Sequence, residues 1–247
     1  MKGFVLITVT KTSGSTPRHA GSKMIVNSDG SIAGTIGGGA LEHQAIKDAL
    51  EILERGEPVT KRYPLGPMLG QCCGGETELF FEAYKEPKRV VIFGAGHVAA
   101  ELSPLLKKLG FGITLVDERS ERLENPAFQI VDEKVNELPC DALKGIEFTS
   151  DLYLIVLTHQ HKHDEEIVAY CLDKLFKYLG MIGSRTKWEK FKARYKAKGS
   201  TDEQLARVRT PIGLDIGSET PFEIAVSIVA ELISFCHCEP EGRGNLP

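Results

Sequence analysis

Apolar and polar residues alternate from Gly3 to Thr10, the period of a half-buried strand. Lys23 to Asn27 and Ser31 to Ile36 read as two further strands, joined by a hairpin turn at Ser28-Asp29-Gly30. From Ala40 to Arg55 the apolar positions 41, 45, 46, 49, 50, 52 and 53 trace one face of a helix, which Gly56 and Pro58 end. Thr77 to Tyr84 returns to strand character. Beyond the polar segment Tyr84 to Arg89 the pattern changes. Strands at Arg89–Phe93, Gly112–Val116, Leu152–Leu157 and Tyr178–Ile182 alternate with helices at His97–Leu109 and Glu165–Phe176, as in a parallel sheet with crossover helices. The Leu152–Leu157 run is continuously apolar, as a strand covered on both faces requires. A basic helix follows, then Thr201-Asp202-Glu203-Gln204 as a capping sequence. A last helix has Thr220 as N-cap, Pro221 in its first turn and Glu223 closing a capping box.

The expected architecture is therefore α/β: a C-terminal Rossmann-like parallel sheet over residues 89–247, with a smaller N-terminal α+β domain over residues 1–84. The formal net charge of -4 gives no electrostatic footprint for nucleic acid. No apolar run approaches the roughly 20 residues that span a bilayer. The amino-terminal segment reads as a strand and not as a signal sequence, so a cytoplasmic home is expected. The six cysteines are then reduced thiols, available for chemistry or soft metals.

Val90 to Ala99 reads strand, then Gly94-Ala95-Gly96-His97-Val98-Ala99, then helix. Gly94 permits the tight turn, Gly96 lets a phosphate approach the backbone, and the small Ala99 lets the helix lie close on the strand. Asp117 ends the second strand, where a carboxylate meets a ribose hydroxyl in dinucleotide-binding folds. A nucleotide or NAD(P) is the ligand this pattern suggests. A second glycine-rich element, Gly34 to Glu42, also runs from strand to helix. Gly37, Gly38 and Gly39 would leave exposed amides for a phosphate or an oxyanion. One glycine would serve a turn, and three favour close approach of a ligand.

Gly70-Gln71-Cys72-Cys73-Gly74-Gly75 places two adjacent thiols between glycine pairs. Neighbouring cysteines do not easily bridge each other, and the spacing is not that of a zinc site. Cys72 and Cys73 are therefore the candidate reactive groups, able to bind a soft metal or carry sulfur, with Gln71 beside them. Thr158-His159-Gln160-His161-Lys162-His163-Asp164 follows a buried strand, at the edge where α/β ligands bind. Its HxHxHD order departs from the HxHxDH of metallo-β-lactamases and contains a lysine, so no metal is assigned. His159 or His161 is expected at the ligand crevice, with Asp164 capping the next helix. Ser184 and Arg185 end another strand and could hold a phosphate. The basic helix after them reads as a solvated face.

Taken together, these segments resemble the XdhC/CoxI family, accessory factors of molybdenum hydroxylases. The resemblance rests on Gly14–Arg18, Gly21–Met24, Gly34–Glu42, Leu69–Gly75, the Gly94–Ala99 turn, Ile182–Arg185 and Pro211–Gly217, which follow the family's order along nearly the whole chain. It implies a protein that binds molybdenum cofactor, shields it while a terminal sulfido ligand is installed, and delivers it to an apo molybdenum hydroxylase of the xanthine dehydrogenase type. A cysteine desulfurase and the hydroxylase would be partners, and a homodimer is implied. The candidate cofactor-binding set is then Gly37, Gly38, Gly39, Gln71, Cys72, Cys73, Gly94, Gly96, His97, Asp117, His159, Ser184 and Arg185, gathered where the two domains face each other. No evident acid, base or nucleophile stands beyond the thiols, which suits a carrier better than a classical enzyme. The rival is an NAD(P)-dependent oxidoreductase, for which the Cys-Cys loop and the triple glycine have no task.

Overall fold

The computed structural model describes residues 3–65 and 75–237. The chain divides into two compact units, Met1–Glu86 and Pro87–Pro247.

The first unit is an antiparallel sheet with one helix on it. Strands β1 (Gly3–Ser13), β2 (Lys23–Asn27), β3 (Ile32–Gly34), β4 (Val59–Pro64) and β5 (Glu76–Lys85) stand in the order β3-β2-β1-β5-β4. Val5, Ile7 and Val9 of β1, Met24 and Val26 of β2, and Leu79 and Phe81 of β5 fall on one face by the period of two. Helix α1 (Gly39–Arg55) lays Leu41, Ala45, Ala49, Ile52 and Leu53 against that face. The hairpin turn has the expected chemistry: Gly30 takes φ +81°, and the Asp29 carboxylate accepts from the Ser31 amide at 2.9 Å.

In the first unit, strand β4 is the element the sequence pattern does not announce. Val59-Thr60-Lys61-Arg62-Tyr63-Pro64 is largely polar because β4 is an edge strand, paired only with β5, and only Tyr63 turns fully inward. Its anchor is Asp48, a buried carboxylate on α1. Asp48 accepts from the Tyr63 hydroxyl and lies 3.0 Å from Lys61 Nζ, so the sheet edge is tied to the helix. Burial and the Asp48 carboxylate raise the Tyr63 phenol far above its ordinary range, which keeps it a hydrogen-bond donor.

The second unit is a six-stranded parallel sheet. Strands β6 (Lys88–Phe93), β7 (Phe111–Val116), β8 (Glu133–Val135), β9 (Tyr153–Val156), β10 (Tyr178–Met181) and β11 (Val208–Arg209) stand in the order β11-β10-β9-β6-β7-β8. The chain starts in the middle, builds outward through β7 and β8, then returns to the other side of β6 and builds outward again. That is the doubly wound order of a Rossmann fold, and its topological switch point lies between β6 and β9. Val90, Ile92, Ile113, Leu115 and Ile155 face helices α2 (His97–Lys108) and α8 (Pro221–His237) through Ala99, Leu102, Leu106, Ala225, Ile228 and Leu232. Val91, Phe93, Leu154, Val156 and Met181 face α5 (His161–Cys171) and α6 (Arg185–Ala197). Two short helices complete the described elements that matter below, α3 (Ser120–Leu123) and α4 (Pro139–Ala142), with α7 (Asp202–Ala206) after α6. The capping boxes expected at Thr201 and Thr220 are both formed. No helix among the described residues is long and apolar enough to cross a membrane.

Replacing Tyr63 by Phe removes the hydroxyl donor and leaves one oxygen of buried Asp48 without it. The expected loss is about 1–3 kcal/mol, read as a lower urea midpoint for the first unit. An unchanged midpoint would show that Lys61 and Gln44 suffice for Asp48.

Candidate functional site

The parallel sheet brings the ends of β6, β7, β9 and β10 to one edge, so the Gly94 turn, Asp117, His159 and Ser184 share it. The two glycines of the turn have different tasks. Gly94 is buried at φ +109°, and a Cβ there would lie 2.4 Å from the Leu157 carbonyl oxygen. It therefore serves the close approach of β6 to the segment leaving β9, where the Leu157 amide donates to the Phe93 carbonyl at 2.8 Å. Gly96 is the N-cap of α2 at φ −90°, and a Cβ there would meet nothing within 4 Å. The first intrahelical bond of α2 is made by the Ala100 amide, to the Gly96 carbonyl at 3.1 Å. No side chain caps the turn before it, so the Gly96 position is open to an anion. His97 begins α2 and is exposed. Ala99 is fully buried against the strands, as the close helix packing requires.

Asp117 is committed elsewhere. Its carboxylate accepts from the Ala95 amide at 2.7 Å, from the Arg119 amide at 2.9 Å, and from both Arg119 Nε at 2.9 Å and Nη2 at 2.8 Å. A carboxylate offers about four lone-pair positions, and these donors fill them. Asp117 is only 3% exposed. Burial alone would raise its pKa, but the guanidinium and the two amides outweigh it and hold the carboxyl below its ordinary value. A ribose hydroxyl reaching Asp117 would have to displace Arg119. The Ala95 amide, which would otherwise join a phosphate cradle, is spent on the same carboxylate.

The first unit repeats the theme. Gly37, Gly38 and Gly39 all take positive φ, at +135°, +77° and +62°. The turn conformation by itself thus calls for all three glycines, so their number alone does not favour close approach of a ligand. Gly37 also lies under Pro17, whose Cγ would be 2.4 Å from an added Cβ. The amides are not all free. One Glu42 oxygen accepts from the Ile36 amide at 3.0 Å, Gly37 at 3.3 Å and Gly38 at 2.9 Å, and from the Thr35 hydroxyl. Burial works against the charge of Glu42, yet Thr35 and these amides outweigh it and hold its carboxyl below the usual glutamate value. Of the three glycines, Gly39 alone belongs to the first turn of α1, which no side chain caps.

The histidine segment also differs from expectation. Helix α5 begins at His161, not at Glu165, so Asp164 lies inside its first turn and is not a cap. Its buried carboxylate accepts from Thr158 Oγ1 at 2.6 Å and from Lys187 Nζ at 2.5 Å, which ties α5 to α6. His159 Nε2 is 3.7 Å from Glu118 Oε1 at the sheet edge, whereas the His161 side chain is 81% exposed, with Asp164 of its own helix at 3.7 Å. Ser184 caps α6 by accepting from the Lys187 amide at 3.2 Å. Arg185 is exposed, with Asp215 at 3.4 Å. On the basic helix, Lys192 pairs with Glu189, Arg194 with Glu165 and Lys196 with Asp202, so much of its charge is met locally. Gln71, Cys72 and Cys73 lie outside the described residues. Among the described cysteines, burial pushes the Cys171 thiol up to about 12, the opposite of an activated nucleophile.

Glu42, Arg119 and Lys187 are the residues that sequence reasoning missed. Glu42 stood inside a quoted motif, and Arg119 stands two residues after Asp117, a spacing that lets an arginine fold back on a carboxylate.

The model of the XdhC Rossmann domain matches residues 90–232, and that of the XdhC and CoxI family matches residues 2–64. The chain belongs to the XdhC/CoxI family. This XdhC/CoxI protein is 32% identical to the uncharacterized protein YqeB of Escherichia coli K12, over 97% of this chain and 44% of YqeB. It is 30% identical to a probable xanthine dehydrogenase subunit of Bacillus subtilis 168, over 64% of this chain and 46% of that protein. It therefore spans less than half the length of these two relatives. With the molybdenum cofactor insertion chaperone PaoD of Escherichia coli K12 it shares 23% identity over 94% of this chain and 83% of PaoD. A Bacillus halodurans protein described as a xanthine dehydrogenase shares the fold, with a TM-score of 0.58 and 22% identity, over 99% of this chain and 94% of that one.

Two substitutions separate the roles of the glycines. Gly94→Val combines strain at positive φ with the Leu157 clash and should destabilise the second unit by more than about 1–3 kcal/mol. Gly96→Val should leave the melting temperature unchanged while closing the α2 amides to a phosphate-bearing ligand. Equal ligand affinity in wild type and Gly96→Val would mark the turn as purely structural.

Glu42 supplies a pH test. Its folded pKa is depressed, so its contribution is present above the unfolded value of about 4.3 and fades as pH falls through the lower folded value. Wild type should exceed Glu42→Gln by about 1–3 kcal/mol at neutral pH, with the gap in urea midpoint closing below about pH 4. A gap independent of pH would mean that charge on Glu42 does not hold the turn.

Proposed function

We propose that this XdhC/CoxI protein binds molybdenum cofactor, carries it while the metal is sulfurated, and delivers it to a molybdenum hydroxylase of the xanthine dehydrogenase type. The observation that carries this reading is the likeness to PaoD, a molybdenum cofactor insertion chaperone, along nearly the whole of this chain. The likeness to a protein named as part of a probable xanthine dehydrogenase points to the same client class. The cofactor is cargo, and its chemistry suits the residues present. Its phosphate fits the uncapped start of α2 at Gly96 and His97, where no Cβ blocks the backbone. Its molybdenum calls for soft donors, which Cys72 and Cys73 provide. A cysteine desulfurase would supply the sulfur, and the client is the apo hydroxylase.

An NAD(P)-dependent oxidoreductase fits less well. The ribose contact that such an enzyme needs falls on Asp117, whose lone pairs are filled by Ala95 and Arg119. A carrier needs only the phosphate position.

Anaerobic co-purification from a host that makes the cofactor should recover molybdenum and pterin together with the wild-type chain. Cys72→Ala/Cys73→Ala should keep its fold by circular dichroism, yet lose bound molybdenum and the ability to activate an apo hydroxylase. Full activation by the double variant would return both thiols to packing. Dinucleotide binding, read by NADH fluorescence, with no pterin recovered would favour the oxidoreductase.

A further inference from the structure

Helix α5 places His163 and Glu166 one turn apart on the same face. Cys140, on α4 after the carboxyl end of β8, reaches that face from a different crossover. Cys140 Sγ lies 3.2 Å from Glu166 Oε2, and His163 Nδ1 lies 3.8 Å from the same oxygen. The three donor atoms all fall within 4.8 Å of one another. Tetrahedral coordination at roughly 2.0–2.3 Å sets donor atoms about 3.3–3.6 Å apart, and the spacings of 3.2 and 3.8 Å to Glu166 Oε2 already lie near that range.

The second observation is an orphaned atom. His163 Nδ1 is buried and has no hydrogen-bond partner among the described residues. A buried ring nitrogen left unpaired is destabilising, and this one lies beside a sulfur and a carboxylate. The other ring nitrogen, Nε2, lies 3.7 Å from Glu118 Oε1, longer than a hydrogen bond but close enough for a small rotation to let that carboxylate orient the imidazole. Lys162, one turn before Glu166, is 78% exposed and faces Glu166 Oε1, leaving Oε2 turned toward Cys140 and His163.

We propose that Cys140 Sγ, His163 Nδ1 and Glu166 Oε2 form a site for a single divalent transition metal of the zinc type, with Glu118 orienting His163. One thiolate, one imidazole and one carboxylate suit a borderline-soft ion and leave its fourth position open. Coordination replaces the thiol proton. The site stands at the same sheet edge as the Gly96 turn, since α5 follows β9 and Glu118 follows β7. It uses neither Cys72 nor Cys73, and it does not depend on the cofactor reading.

The test uses the full chain with Cys72→Ser/Cys73→Ser as background, freed of metal by chelation and without molybdenum cofactor. Cobalt(II), a spectroscopic stand-in for zinc, should bind at one equivalent and give a thiolate-to-cobalt charge-transfer band. Zinc should compete it away. Cys140→Ser should abolish the band, and His163→Gln should weaken cobalt binding roughly 10-fold or more, with circular dichroism unchanged. Glu118→Gln should weaken binding about 10–100-fold while keeping the band. Absence of the band in the background protein, or its survival in Cys140→Ser, would overturn the proposal. If Cys140→Ser does not fold, unaltered cobalt affinity in His163→Gln overturns it equally.

Discussion

Backbone amides in a tight glycine turn must find acceptors, and in this protein the acceptors are its own carboxylates. Asp117 holds the Ala95 amide and clamps Arg119 in the same stroke. Charge-assisted hydrogen bonds of this kind contribute about 1.5–3 kcal/mol each. The clamp fixes the turn between β6 and α2 against the end of β7, and so fixes the entry of α2. Gly94 completes the arrangement from the other side by letting Leu157 approach. The switch-point edge of the sheet is thereby held by the protein's own hydrogen bonds. Glu42 does the same for the Ile36–Gly38 turn of the first unit.

This self-satisfaction narrows what the edge can bind. A phosphate-binding loop that offers every amide grips its ligand with many charge-assisted bonds. Here the Ala95 amide is withheld, and what remains is the uncapped first turn of α2. Fewer bonds mean weaker retention, which suits the carrier role proposed above. The same clamp occupies the carboxylate on which dinucleotide selectivity would depend, so a ribose could reach it only by displacing Arg119.

The sequence made the fold legible where periodicity was strong. The alternation of β1, the helical stripe of α1 and the strand–turn–helix at Val90 to Ala99 all stand where the pattern places them. Of the four edge strands, β3 was legible because a hairpin turn precedes it, and β4, β8 and β11 were not. β4 is polar because one edge faces solvent, while β8 and β11 have three and two residues, too few for a period. The start of α5 was misplaced because His161 to Glu166 is polar along its whole length, and only the buried Asp164–Lys187 pair reveals it as a packed helical turn. At the site, the sequence located the glycine turns but not their occupants. Whether Asp117 faces a ligand or folds onto Arg119 depends on side-chain directions that spacing does not encode. Cys140 and His163 belong to different crossovers, and only the fold brings them together.

On the proposed reading, the turn after β6 meets the cofactor with the amides from Gly96 onward, while Ala95 stays with Asp117. Amide spectra of the ¹⁵N-labelled protein, recorded anaerobically with and without molybdenum cofactor, test this. Shifts are expected at Gly96, His97 and Val98, with the Ala95 resonance unmoved. A large shift at Ala95, or none anywhere in the turn, would contradict it.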